Sequence, residues 1–350
     1  MKKIIIVGSG WYGCHIALKL CQYKEYDITI IEKNDIIFNN SSFYNQNRLH
    51  LGYHYCRNYP TRNLCQKYYD KFLKEYKECI DNIENNYYVI SNQSLMDFKT
   101  YTEIYEFEKF EFDIVKNNLF QNIDEDLIKV KEEVINSDKV KQMFETKLFN
   151  LDNVDFLFNT KVISVEKKQD NTININCDND KIYNCDLLID CTYNQLQLSK
   201  KEYKYELTIS LVIKKINSVD FGALTIMDGK FLSLYPRDIK NNLYTLTDVE
   251  YTPIISSNKY SDIENYQIKE EEILSIKEKM FDKIKFYYPE FEENFEYHSY
   301  FLSKKTKLIS ASDSRDITIE EIDKNIISVN CGKIYGIFDF EDYIRKELII

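Results

Sequence analysis

Gly8, Gly10, Gly13 and Glu32 are the residues of this 350-residue chain whose types and spacing speak most directly of chemistry. The apolar run at 4–7 leads into G-x-G-x-x-G, a helical pattern follows, and a second apolar run ends in Glu32, 24 residues after Gly8. Gly8 permits a sharp turn off the first strand. Gly10 clears a side chain from the path of a pyrophosphate, and Gly13 lets the helix pack close to the sheet. The helix start offers free N–H groups and a positive dipole end to phosphate oxygens. Glu32 can accept hydrogen bonds from both hydroxyls of an adenosine ribose, which favours FAD or NAD over a cofactor with a 2′-phosphate. Trp11 and Tyr12 on the first helical turn either flank the phosphates or pack, and Lys33 joins Glu32 at the ribose end.

Proton-handling candidates are few. The histidines are His15, His50, His54 and His298. His15 follows the third glycine and reads as a satisfied helix residue, and His298 lies among aromatics without a motif. His50 and His54 sit in a loop dense in polar groups, with Asn47 and Arg48 just before them. A loop directly after the ribose-binding strand reaches over a cofactor bound beyond the strand ends. An imidazole near its ordinary pKa of about 6.5 can take a proton from a hydroxyl or amine as hydride leaves; an ordinary surface loop is the other reading. No third ligand accompanies the two histidines, so a metal is not expected. Arg237 and Arg315 could each hold a substrate carboxylate through a bidentate fork, or make an ion pair. Tyr235 could add a hydrogen bond to the same group or merely pack. Arg48 is an alternative anchor, or neutralises the pyrophosphate.

The elements that must position these residues follow from periodicity. Residues 61–82 carry apolar side chains at three- and four-residue steps and predict an amphipathic helix. Residues 86–91 predict a strand. The charged stretch 98–148 predicts short, peripheral elements, and its acidic run at 120–134, like that at 258–273, reads as a solvated face. Residues 155–192 predict a strand, a hairpin-like pair and a buried strand at 187–191. Residues 206–219 and the segments after them alternate and predict an antiparallel sheet. Residues 266–283 predict a helix. The C-terminus predicts strand, loop, strand, glycine turn and closing helix, which completes the N-terminal unit. The expected fold is α/β: a discontinuous Rossmann-like dinucleotide-binding domain (1–85, 150–205 and 300–350) with an antiparallel-sheet α+β substrate domain (86–149 and 206–299).

Composition sets bounds. The formal net charge of −11 argues against non-specific binding to nucleic acid or anionic membrane. No apolar stretch approaches a membrane-spanning length and no secretory leader is visible. Nine scattered cysteines suggest neither a zinc cluster nor a disulfide framework, so a reduced, cytoplasmic protein is expected.

With these residues in place, the chain resembles the D-amino-acid oxidase-like superfamily of FAD-dependent oxidoreductases along nearly its whole length. Gly8, Gly10, Gly13 and Glu32 match the superfamily's FAD fingerprint. Lys161 and Val162 match the strand whose valine position contacts adenine through its backbone. Asp190, Cys191 and Thr192 match a strand end often written Ala-Thr-Gly, with Cys191 and Tyr193 replacing Ala and Gly. Gly332, Lys333 and Ile334 match the turn that lies over the flavin side of the cofactor. Residues 47–55, NRLHLGYHY, resemble the His-x-Gly-x-x-Tyr segment of hydroxy-acid and glycerol-phosphate oxidising members, beside the isoalloxazine ring. The resemblance implies FAD, and oxidation of a small polar, carboxylate-bearing substrate (amino acid, amine or 2-hydroxy acid) by hydride transfer to flavin N5. The electron acceptor would be O2 or another molecule. The alternatives are a flavin-dependent sugar-nucleotide modifying enzyme and a non-catalytic FAD-binding scaffold.

Overall fold

The computed structural model describes residues 1–230, 232–309 and 317–348. Six strands form the first sheet, in the order Thr318–Asp323, Ile326–Asn330, Leu187–Asp190, Lys2–Val7, Tyr26–Ile31, Val154–Leu157. All neighbours are parallel except the first pair. Val7 pairs with both Ile31 and Asp190, so the chain leaves these three strands at one edge, at Gly8, Glu32 and Cys191. The central strand is apolar on both faces because both are covered. Ile4 and Ile6 enter the core beneath helices Trp11–Leu20, Tyr59–Glu75, Ser137–Leu148 and Gly336–Leu348. Ile5 and Val7 enter a smaller core beneath a meander of Val162–Lys167, Ile173–Cys177 and Ile182–Cys185.

The second sheet has nine strands. Tyr203–Lys215 pairs along its whole length with Phe295–Leu308, from Tyr203↔Leu308 to Lys215↔Phe295. On its other side lie Pro253–Ser257 and Leu243–Asp248, then Leu232–Asp238, Ala223–Met227, Asn86–Ile90, Asp126–Val130 and Phe112–Lys116. Only Ala223–Met227 and Asn86–Ile90 run parallel. Helix Glu270–Tyr287 buries Ile273, Met280, Phe281, Ile284 and Tyr287, spaced to one face, against the outer side of this sheet. The fold is therefore a discontinuous Rossmann-like unit with a separate, largely antiparallel second sheet.

Several elements differ in extent from the sequence expectation. The helix of 61–82 is Tyr59–Glu75, capped by the Asn58 side chain accepting from the Thr61 N–H, and ends in a 3₁₀ turn before the short strand Ile80–Asp81. Phe295–Leu308 runs across position 300, and Tyr203–Lys215 begins before 206. Helix Ser137–Leu148 is not peripheral: Val140, Phe144 and Leu148 are fully buried in the core around Trp11. Its long-range aromatic contacts, invisible to periodicity, recruit it to the first sheet.

Candidate active site

The edge where Gly8, Glu32 and Cys191 emerge opens onto a cavity of about 750 Å³ that extends to the inner face of the second sheet. That is within the range of cofactor and substrate pockets. The fingerprint glycines are sterically required. Gly8 has φ +98°, a Cβ at Gly13 would stand 1.9 Å from the Gly8 carbonyl oxygen, and one at Gly10 would stand 2.6 Å from Ser42 Oγ. Gly10, Trp11 and Tyr12 line the cavity at the helix start. The Trp11 indole itself turns away into a cluster with Phe38, Phe72, Tyr76 and Phe144. The Tyr12 hydroxyl donates to the Lys333 carbonyl oxygen at 2.7 Å, tying the first helix to the turn before the last.

Glu32 is 8% exposed and fixed by four donors. Its Oε2 accepts from Ser9 N and Oγ at 2.9 and 2.7 Å, and its Oε1 from Asn34 N and Nδ2 at 3.0 and 2.7 Å. Lys33 donates to Gln195 at 2.7 Å and, with Val162, lines the same end. Thr192 donates from N and Oγ1 to Asp190 Oδ1, at 2.9 and 2.6 Å, which shapes the third strand end. Burial pushes the Asp190 carboxyl up, against those bonds and the one from Ser328. Tyr193, where the resemblance expects glycine, takes the left-handed conformation a glycine would take, with φ +61°. Gly332, Lys333 and Ile334 line the opposite wall.

The histidine loop joins the two sheets. Arg48–Leu49 pairs with Glu133–Ile135. Beyond it His50, His54 and Tyr55 line the cavity, with ring centroids 5.1–5.6 Å apart. The His50 carbonyl accepts from the Tyr335 hydroxyl at 2.6 Å, and Lys333 Nζ meets the Tyr55 hydroxyl. Asn47 also lines the cavity, and its Oδ1 accepts from Ser137 Oγ at 2.9 Å. Arg48 is buried, donates to the Tyr88 hydroxyl at 2.9 Å and Ser233 Oγ at 2.6 Å, and lies 4.0 Å over the Tyr235 ring.

Glu132, buried behind the histidine loop, is a candidate that sequence reasoning missed. It is 1% exposed, accepts from Tyr88 at 2.6 Å and from Leu51 N at 2.7 Å, and its Oε1 lies 4.0 Å from His50 Nδ1. Burial pushes its carboxyl up, against Arg48 and these hydrogen bonds. The acidic run at 120–134 is thus not a solvated face throughout. Nor is that at 258–273, since Glu264 lines the cavity and pairs with Lys161 at 3.1 Å.

Two expected substrate contacts lie elsewhere. Arg237 donates to the carbonyls of Asn45 and Phe43 at 2.9 and 3.1 Å, packs on Phe43 and Phe301, and does not line the cavity. Tyr235 is fully buried beneath Arg48 and donates to the Glu133 carbonyl at 3.1 Å. Arg315 lies outside the described residues. His15 is buried between the Tyr76 hydroxyl and Glu341, as its helix position suggests, and His298 is exposed.

Fold and site together define a Rossmann-like dinucleotide-binding unit joined to a second sheet across one cavity. Residues 3–201 match the family described as FAD dependent oxidoreductase. The FAD-dependent monooxygenase FPY4 of Fusarium mangiferae is 28% identical over 338 residues, covering 95% of this chain and 87% of that protein. The FAD-dependent monooxygenase kojA of Aspergillus flavus is 25% identical over 365 residues, covering 96% and 83%. Among solved structures, NikD, described as an unusual amino acid oxidase, has a TM-score of 0.76 at 8% identity and covers 97% of this chain and 92% of its own. L-α-glycerophosphate oxidase from Mycoplasma pneumoniae has a TM-score of 0.73 at 15% identity and covers 99% and 94%. These structures share the fold. The chain belongs to the FAD-dependent oxidoreductase family, and FAD is its cofactor. The glycine cradle, the fixed Glu32 carboxylate and the continuous cavity fit that group. No helix among the described residues is long and apolar enough to cross a membrane.

Proposed function

We propose that the chain is an FAD-dependent oxidase or dehydrogenase that oxidises a small polar substrate at a carbon bearing O–H or N–H. The observation that carries this reading is the single cavity joining the dinucleotide cradle to His50, His54 and Tyr55 and to the polar face of the second sheet. FAD, when bound, would supply the hydride acceptor, with O2 or another molecule as the final electron acceptor. Gly8, Gly10 and the helix start would hold its pyrophosphate and Glu32 its ribose, with residues 332–334 lining the cavity toward the flavin. His50 would take the substrate proton, with the Glu132 carboxyl 4.0 Å behind its Nδ1. With Arg237 engaged by backbone carbonyls, the carboxylate anchor expected of it has no support in this geometry.

His50→Gln tests the reading. The variant should retain FAD, while the rate of flavin reduction by substrate falls about 10²- to 10⁴-fold. An unchanged rate would move the base to His54 or to no protein group. The descriptions of the curated relatives favour a second reading, a monooxygenase. Turnover under ¹⁸O2 separates the two: label in the organic product supports the second, and an organic product free of label, with the electrons recovered as hydrogen peroxide or in another acceptor, supports the first.

A further inference from the structure

The inner face of the second sheet carries hydroxyls where its outer face carries aliphatic groups. Along Tyr203–Lys215, Ile209, Leu211 and Ile213 enter the core beneath helix Glu270–Tyr287, while Glu206, Thr208 and Ser210 line the cavity. Register extends the pattern sideways. Thr208 pairs with Ser303. Leu211 pairs with Leu246, which puts Ser210 beside Thr247. Thr247 pairs with Ser233, and Ser233 with Thr225. A transverse row of hydroxyls thus crosses five adjacent strands, at about 4.8 Å per strand. All but Thr225 line the cavity. Ser210 and Ser303 form no side-chain hydrogen bond with the described residues, and neither hydroxyl is a sealed, unsatisfied group, so both are open to the cavity. Thr247 Oγ1 accepts from Gln46 at 2.7 Å and keeps its own proton to donate.

Several of the charged groups on this wall are already engaged, while Lys304, which also lines the cavity, meets the Tyr260 hydroxyl at 3.3 Å. Arg48 is held by Tyr88 and Ser233 near Glu132, Asp228 pairs with Arg57, Glu206 with Lys307 at 2.8 Å, and Asp248 with Lys283 at 2.7 Å. An amino acid needs a cation for its carboxylate and an anion for its ammonium, and burying either charge without a partner is costly. A substrate hydroxyl both donates and accepts, as serine and threonine do. A site built to hydrogen-bond hydroxyls discriminates strongly against ligands that lack them.

We infer that the substrate is a neutral polyhydroxylated molecule, a polyol or sugar-like compound, recognised by the Ser210, Ser303 and Thr247 hydroxyls of the transverse row, since Thr208 and Ser233 already donate to the Ser303 and Leu224 carbonyls at 3.0 and 3.2 Å. This rests on the FAD-dependent oxidation proposed above and names its substrate class. The test is anaerobic titration of the FAD-loaded enzyme, with sorbitol, D-glucose and myo-inositol in one arm and glycine, alanine and proline in the other, following the loss of flavin absorbance. Bleaching in the first arm alone is expected. The Ser210→Ala/Ser303→Ala double variant should raise the half-saturating concentration about tenfold or more, the effect of one to two hydrogen bonds, with a smaller change in the limiting rate. Thr247→Val gives an independent check should the double variant fold poorly. Bleaching by the amino acids, bleaching by none of the polyhydroxylated compounds, or unchanged half-saturation in a folded variant overturns the inference. A holoenzyme that dithionite bleaches and polyols do not overturns this inference alone, whereas protein that takes up no FAD also overturns the proposed function.

Discussion

Replacing Arg48 by Met should destabilise the protein far more than the loss of a surface charge. Arg48 is 6% exposed and Glu132 1% exposed, and Tyr88 bridges them through bonds of 2.9 and 2.6 Å. Met fills much of the volume but removes two charged hydrogen bonds and leaves a buried carboxylate without its cation. Breaking a direct buried pair from one side costs about 3–5 kcal/mol, an upper bound for this Tyr88-bridged couple, against about 0–1 kcal/mol for an exposed pair. Glu132→Gln in the same chain should recover at least about 1 kcal/mol of that loss, because the two residues are coupled. The sign of the pH dependence follows from burial. The folded Glu132 carboxyl is pushed above its ordinary value of 4.5, so stability falls as pH rises from that value toward the raised folded one. Without Arg48 the folded value rises further, so the deficit of Arg48→Met should be smallest in acid and widen toward neutral pH. Urea unfolding of the holoenzyme at several pH values measures this. A cost below about 1 kcal/mol, strictly additive variants, or a deficit that shrinks toward neutral pH would refute the reasoning.

Gly13→Ala places a methyl 1.9 Å from the Gly8 carbonyl oxygen, so the helix start must move; overpacking of about 1–3 kcal/mol should weaken FAD binding about 10- to 100-fold in a fluorescence titration. Glu32→Ala removes the ribose acceptor and leaves Ser9 and Asn34 without theirs; FAD affinity should fall about 100-fold or more, while the enzyme that still holds FAD keeps its reduction rate in stopped flow. Glu341 is held from 4.5 down to about 2: burial opposes its charge, but His15, Lys19 and Arg345 outweigh it. Its contribution is complete above pH 4.5 and is lost as pH falls toward 2, so Glu341→Gln should cost about 2–3 kcal/mol at neutral pH and progressively less in acid, read from unfolding midpoints.

Local features of the sequence place the candidate cofactor residues together. Gly8, Gly10, Gly13 and Glu32 lie within one strand–helix–strand unit, where spacing alone fixes their relative places. The substrate half depends on contacts between distant segments. Arg237 reaches the carbonyl of Asn45, 192 positions away, and Glu132 accepts from Leu51, 81 positions away. An arginine after a strand and a glutamate in a charged run give no sign of such partners, so Arg237 reads as a free cation and Glu132 as solvated. The alternation of Thr208 and Ser210 with Ile209 and Leu211 was legible as a strand. What joins them to Ser303, Thr247 and Ser233 is the register of three strand pairings, two of them between segments far apart in sequence, which a single sequence does not display.

The same contacts explain why a loop can hold His50 accurately. Residues 42–51 have little regular structure beyond Arg48–Leu49, yet they are tied at both ends of the cavity. Ser42 Oγ accepts from Trp11 N at 3.0 Å on the cofactor side. The carbonyls of Phe43 and Asn45 are gripped by Arg237, Gln46 by Thr247 and Arg48 by Ser233, all from the second sheet. Leu51 N is held by Glu132, and the His50 carbonyl by Tyr335 beside the flavin turn. His50 is therefore fixed relative to both the glycine cradle and the hydroxyl row, the placement that the proposed reaction requires. On this view Arg237 is a positioning residue. Its loss should lower the rate through misplacement of the loop and leave the substrate's own hydrogen bonds intact.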